Sequence, residues 1–157
     1  MDCDEFRTWC DRWGDSPFSV DCPDSGVRAE WHRHEQGCAD CRDWAARRYC
    51  RRRGIDPDRH CCLDMALAIA HPWKDHQGPN RVLDWYASWD EYRIPISHDG
   101  YASTLIRHCP WCGRRLGDSK MRPWYDRLHA LGFDDPGEQE IPEIYESDEW
   151  WRNEGPT

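Results

Sequence analysis

The cysteine pattern constrains this chain more than any other feature. Cys38-Ala39-Asp40-Cys41 is a C-x2-C pair, and His34 precedes Cys38 by four residues, giving H-x3-C-x2-C. Further along, His60-Cys61-Cys62 and His108-Cys109-Pro110-Trp111-Cys112-Gly113 form a second group. Soft donors at such spacings are metal-ligand patterns, because zinc takes four S or N ligands at tetrahedral corners.

Composition makes a metal staple the economical reading. The chain has 157 residues, 38% apolar and 32% charged. That is one ordinary domain or two very small ones, and two small halves cannot rest on a hydrophobic core alone. Eleven tryptophans partly offset the deficit, since each buries a large area. No run of 18 apolar residues exists, so no membrane span is expected. The stretch Met1-Asp2-Cys3-Asp4-Glu5 is acidic and lacks the apolar centre of a secretory leader. We therefore expect a cytoplasmic protein whose thiols bind metal rather than form disulfides.

In the first group, three ligands are local. A helix over Val27–Gln36 would end at His34, Gly37 would turn the chain, and C-x2-C would open a helix over Ala39–Arg53. Cys41, Ala45 and Tyr49 fall on one face of that helix. Arg42, Arg47, Arg48, Arg51, Arg52 and Arg53 occupy much of the rest. Such a run reads first as a solvated face with favourable charge near the helix end, and second as a docking surface for an acidic partner.

Met1-Asp2-Cys3-Asp4-Glu5-Phe6-Arg7 followed by Glu30 to Arg42 resembles the zinc-binding anti-sigma factors of bacteria. The resemblance covers about the first third of the chain. It implies a cysteine opening the first helix, a histidine ending the second and a C-x2-C opening the third. The implied ligands are Cys3, His34, Cys38 and Cys41. Cys10 and Cys22 offer competing fourth ligands, and His32 competes less well with His34. The stretch from Asp15 to Ser25, with Pro17 and Pro23, is longer than the usual connection.

In the second group, C-P-x-C-G is a zinc knuckle, a tight turn whose backbone N–H groups point at the sulfurs. Such turns sit at hairpin tips, and strands are expected over Val82–Tyr86, Glu91–Ile96 and Ser103–His108, with a turn at Asp99-Gly100. Cys61, Cys62, Cys109 and Cys112 would make a site of four thiolates. Three thiolates with His60, His98 or His108 is the second choice. A helix over Met121–Leu131, stopped by Gly132, should follow. The order Cys61-Cys62, Cys109-Pro110-Trp111-Cys112-Gly113, Trp150-Trp151 is similar to a family of small uncharacterised bacterial proteins with a CC…CPWCG…WW pattern. That similarity spans about residues 60–151 and implies no activity. It does imply that Trp150 and Trp151 belong to the fold.

Catalysis is disfavoured. Two glycines within Gly113–Gly117 make a poor helix start for a redox dithiol. Sites of four thiolates, or of three with one imidazole, are closed. His71, Asp75 and His76 beside Pro72 read as a loop, His98-Asp99 as a turn, and no H-E-x-x-H is present. Cys10, Cys22 and Cys50 are otherwise small buried apolar residues. The net charge of −9 argues against general nucleic-acid affinity. Much of it lies in 133–157, which holds nine acids and Arg152 as its one base. We expect this acidic arm to wrap back and dock its two tryptophans.

The sequence thus predicts an α+β protein. A helical zinc module over 1–55 precedes a zinc-ribbon-like β-hairpin module with its helix over 56–132, and an acidic arm over 133–157 closes the chain. Two zinc ions and no catalytic residues are expected. The expected function is regulation through a protein partner, a sigma factor by resemblance. A zinc-stabilised nucleic-acid-binding or phage-type accessory protein, with Trp44 and Tyr49 on the arginine helix, is the alternative.

Overall fold

The computed structural model describes residues 1–14, 25–70, 73–75, 78–80, 82–97 and 102–153. The architecture is α+β. The chain divides into two compact units, Met1–Ala70 and His71–Thr157.

The first unit is helical. Helix α1 spans Cys3–Trp13, α2 Ser25–Gly37, α3 Ala39–Arg52 and α4 Leu63–Ala70. Helix α1 starts where it does because Asp2 caps it. The Asp2 carboxylate accepts from the N–H groups of Asp4 and Glu5, and the Glu5 carboxylate accepts from the Asp2 N–H at 2.8 Å. Phe6, Trp9 and Cys10 follow at helical spacing on its buried face. They pack with Trp31 of α2 and with Cys41 and Ala45 of α3. The rings stack tightly, Phe6 on Trp31 at 5.2 Å and Trp9 against Trp31 at 5.3 Å between centroids. Three helices thus meet on four large or soft side chains and need few aliphatic residues.

Helix α4 is an element that the sequence reading did not place. It packs against α3, where Cys50, Ala66 and Ala70 are buried beneath Tyr49, Ile55, Leu63 and Leu67. A single 3-10 turn, Pro57–Arg59, precedes it and is capped by the Asp56 carboxylate on the Asp58 N–H at 3.1 Å.

The second unit begins with a short antiparallel pair, β1 Trp73–Asp75 and β2 Gly78–Asn80. Asp75 therefore ends a strand where a loop was expected. The main sheet has three antiparallel strands in sequence order, β3 Asp84–Tyr86, β4 Glu91–Pro95 and β5 Ser103–Leu105. Trp85 pairs with Tyr92, and Ile94 with Thr104. The strands meet Ala87–Asp90 where expected, at Tyr86 and Glu91, but lose Val82 and Leu83, Ile96, and Ile106 to His108 at their other ends. Between β3 and β4, Ala87–Trp89 forms a 3-10 turn and Asp90 adopts the left-handed conformation, with φ 51°. The expected turn at Asp99-Gly100 lies outside the described residues.

Helix α5, Met121–Ala130, ends in a Schellman motif. Gly132 sits at φ 94°, its N–H donates to the His129 carbonyl, and the Phe133 N–H donates to the Leu128 carbonyl. The chain then turns back. A 3-10 turn over Glu143–Glu146 and the short α6, Glu149–Arg152, put Trp150 onto Trp124 and Leu128. Each indole finds a carbonyl. Trp150 donates to Ser88, Trp151 to Ala87 and Trp124 to Tyr145, at 2.8, 3.0 and 2.8 Å. The acidic arm is therefore a packed part of its unit up to Asn153.

Candidate metal centres

The first centre is assembled from three helix ends. Asp2 fixes the first turn of α1 and with it Cys3. His34 lies in the last turn of α2. Cys38 is the N-cap of α3, in extended backbone, and Cys41 lies in the first turn. The Cys38 N–H donates to the His34 carbonyl at 2.8 Å, so the link between α2 and α3 is tight. One donor atom from each of Cys3, His34, Cys38 and Cys41 lies within 4.8 Å of the other three.

Three observations show that these residues suit a tetrahedral ion. The sulfurs of Cys3 and Cys38 are 3.9 Å apart, and Zn–S bonds of about 2.3 Å at a tetrahedral angle would separate them by about 3.8 Å. The His34 ring is oriented from behind: its Nδ1 lies 3.1 Å from the Met1 carbonyl. A carbonyl only accepts, so Nδ1 carries the proton and Nε2 holds a lone pair. That Nε2 is buried and has no hydrogen-bond partner among the described residues. Phe6 packs on the same ring at 5.1 Å and holds it in place.

The thiols are electrostatically unlike one another. The Cys38 thiol is held below its ordinary range, chiefly because the Cys41 N–H at the start of α3 donates to it. Burial pushes the Cys41 thiol up to about 12, with Cys3 and Cys38 adding to the effect. Three thiolates in one cluster repel one another, and a dication would reverse that preference.

Of the competing residues, Cys10 is buried in the core, and its sulfur accepts from the Trp31 indole at 3.3 Å. His32 is turned toward Glu35, 3.7 Å away. Cys22 lies outside the described residues.

The second donor set has two halves. In the first unit, Cys61 and Cys62 stand between the 3-10 turn and α4, both half-buried. The Cys62 carbonyl accepts from the Ala66 N–H and so belongs to the first turn of α4. The Cys61 thiol donates to the Met65 sulfur at 3.4 Å. In the second unit, Cys109 and Cys112 form the expected knuckle at a hairpin tip. His108 and Arg115 bridge antiparallel, the Gly113 N–H donates to the Cys109 carbonyl, and Gly113 takes φ 71°, which a side chain would disfavour. Cys109 is buried and Cys112 exposed. As donors, Cys61, Cys62, Cys109 and Cys112 could hold a metal ion, as the first set could. Of the alternatives, His60 is buried and His108 exposed, while His98 lies outside the described residues. His71 and His76 lie outside them too.

The arginines of α3 engage neighbouring acids, a feature the sequence did not reveal. Arg47 pairs with Asp43 at 2.8 Å and Asp58 at 2.6 Å, and Arg51 reaches Asp58 at 3.5 Å. Arg48 pairs with Asp11 of α1 at 3.0 Å and lies over Trp44, while Arg53 lies over Tyr49. Arg42 donates to the Gln36 carbonyl. Among the described residues, no helix is long and apolar enough to cross a membrane.

Neither a curated protein nor a solved structure matches the chain. The comparison with protein families matches residues 59–153. That span contains Cys61-Cys62, the Cys109–Cys112 knuckle and Trp150-Trp151, and residues 1–58 precede it. It covers well over half of the sequence, and the chain belongs to the family described as Domain of unknown function (DUF6980).

Proposed function

We propose that this is a cytoplasmic zinc-binding regulatory protein that acts through a protein partner, inhibiting a transcription factor as zinc-binding anti-sigma factors do. One zinc is held by Cys3, His34, Cys38 and Cys41. The other is held by Cys61, Cys62, Cys109 and Cys112, and the family span supports this pairing because both cysteine pairs fall inside one matched domain. Thiolate-rich tetrahedral donors favour zinc over magnesium or calcium.

The observation that carries the reading is the buried, unpartnered Nε2 of His34 beside three cysteines at the ends of three helices. Closing that site organises segments too short to fold alone, so zinc acts as the scaffold of an interaction module. The bound partner would cover the helical unit, as the resemblance of residues 1–42 implies.

The test has two steps. Native mass spectrometry of protein purified without added metal should show two zinc ions per chain. The zinc-loaded chain should then form a stable one-to-one complex with a sigma factor of its host in size-exclusion chromatography, and His34→Ala should abolish it. Failure of every host sigma factor to bind the zinc-loaded chain would sink the regulatory reading while leaving the metal reading intact.

A further inference from the structure

Among the described residues, the knuckle carries arginines that make no ion pair, whereas several of those on α3 are paired. Between Gly100 and Gly117 the sequence contains no acidic residue and three arginines, Arg107, Arg114 and Arg115, in a chain of net charge −9. The hairpin brings Arg107 and Arg114 onto adjoining strands, while Arg115, bridged to His108, alternates to the other face. The Leu116 N–H donates to the Arg107 carbonyl and the Cys109 N–H to the Arg114 carbonyl, both at 2.9 Å. Arg107 and Arg114 are exposed and make no ion pair among the described residues. Arg115 reaches Asp118 at 2.9 Å, an exposed pair that contributes little. Arg107 and Arg115 also line a cleft of about 240 Å³ beside the hairpin, but Asp90, Glu91 and Asp118 line it too, so the anion-binding surface is the exposed hairpin and not the cleft.

At the tip stands Trp111, 42% exposed. Every other tryptophan whose burial is described is buried or half-buried. An indole left in water at a turn held rigid by its own hydrogen bonds is costly, unless something flat covers it. An acidic peptide would use the guanidinium groups and leave the indole idle. A nucleic-acid duplex would offer phosphates but keep its base faces stacked. A single strand offers both, an unpaired base for the ring and flanking phosphates for the arginines.

We propose that the knuckle binds single-stranded nucleic acid, with Trp111 stacking on one base and Arg107 and Arg114 taking the adjacent phosphates. The proposal does not require a sigma partner. The chain's overall negative charge restricts contact to this patch, so binding should be short in footprint, indifferent to sequence and steeply weakened by salt.

The experiment is fluorescence anisotropy of labelled 12-nucleotide oligo-U and oligo-dT titrated with the full zinc-loaded chain at 50 and 200 mM salt. Binding at low salt that weakens at high salt is expected, with a duplex of equal length bound at least tenfold more weakly. Trp111→Ala should weaken binding about tenfold and Trp111→Tyr should largely keep it. Arg107→Glu combined with Arg114→Glu should abolish it. The altered side chains are exposed, and zinc counts and circular dichroism on each variant identify any that misfold. The proposal is overturned if neither oligonucleotide binds at 50 mM salt, if Trp111→Ala binds as the parent does, or if a polyglutamate peptide competes as well as the oligonucleotide.

Discussion

The indole N–H of Trp150 donates to the carbonyl of Ser88 at 2.8 Å, joining positions 62 residues apart. Trp151 does the same for Ala87. Together they satisfy two carbonyls of the 3-10 turn that separates β3 from β4, and the Lys120 N–H satisfies the third, that of Trp89. Burial of Trp150, 4% exposed, between Tyr145 and the Trp124–Leu128 face of α5 adds the apolar share. Trp150→Phe keeps part of that area but strips the Ser88 carbonyl of its donor, at a cost of about 1–3 kcal/mol. Trp150→Ala should cost about 3–5 kcal/mol. Thermal unfolding of the zinc-loaded chain should rank the two variants in that order, with the Phe variant several degrees below the parent. Equal midpoints for parent and Phe variant would show that the hydrogen bond contributes nothing.

His34 supplies the second prediction. Its Nδ1 is committed to the Met1 carbonyl and its Nε2 faces the three thiols. His34→Ala should lose one zinc of two. His34→Cys should retain it, since a fourth thiolate is a normal zinc ligand. Chelation of the parent should collapse the helical circular dichroism signal, because α1, α2 and α3 meet on a small core. Native mass spectrometry before and after chelator measures both effects. A chelated chain with unchanged helicity would mean that Phe6, Trp9 and Trp31 suffice without metal.

These two cases mark what the sequence made legible. Ligand spacing in H-x3-C-x2-C is local, so Cys38, Cys41 and the helices around them could be placed from periodicity alone. The knuckle, α5 and its Gly132 stop were readable for the same reason. The partners of distant groups were not. Arg48 meets Asp11 across 37 residues of sequence, and no periodicity announces it, which is why an internally paired arginine face also read as a docking surface. Leu63–Ala70 was missed because Leu-Asp-Met-Ala-Leu-Ala-Ile-Ala is apolar all round and shows no helical stripe. The strands were over-extended at the ends away from Asp90, at Val82 and Leu83, Ile96, and Ile106 to His108, because β-branched and aromatic residues mark a strand's interior better than its ends.

Asp90 gives a prediction about pH. Burial pushes its carboxyl up from the ordinary range, against the pull of Arg152, Lys120 and the Trp85 indole. The folded chain therefore holds this proton more tightly than the unfolded one. Its contribution is most favourable below the usual aspartate range and is lost as pH rises through the raised folded value. At neutral pH the charge is a net cost. Asp90→Asn removes it, and asparagine tolerates the left-handed conformation. Asp90→Asn should therefore be more stable than the parent at pH 7 and lose that advantage near pH 3. Asp90→Ala loses the same charge but should lie about 1–2 kcal/mol below Asp90→Asn at both pH values, through its positive φ. Urea unfolding at the two pH values separates the cases, and a stability gain for Asn that persists at low pH would show that charge burial is not the cause.

Cys3 and Cys10 lie seven residues apart on α1 and should respond to substitution in opposite ways. Cys3 is exposed, and its sulfur approaches that of Cys38. Cys10 is fully buried, beneath Trp9 and Trp31, and accepts the Trp31 indole N–H. Burial alone would rank Cys10 as the sensitive position for every readout. The geometry divides the readouts instead. If Cys3 is a ligand as proposed, Cys3→Ala should release one zinc at the chelator concentration the parent withstands. Cys10→Ala leaves the ligand set whole and should keep two zincs. It opens a sulfur-sized gap and orphans the Trp31 N–H, which together cost about 2–3 kcal/mol in the metal-loaded chain. A competition titration against a chromogenic chelator, run beside thermal unfolding of both variants, reads the two effects separately. Loss of zinc from Cys10→Ala with retention in Cys3→Ala would move the fourth ligand from position 3 to position 10 and overturn the assignment.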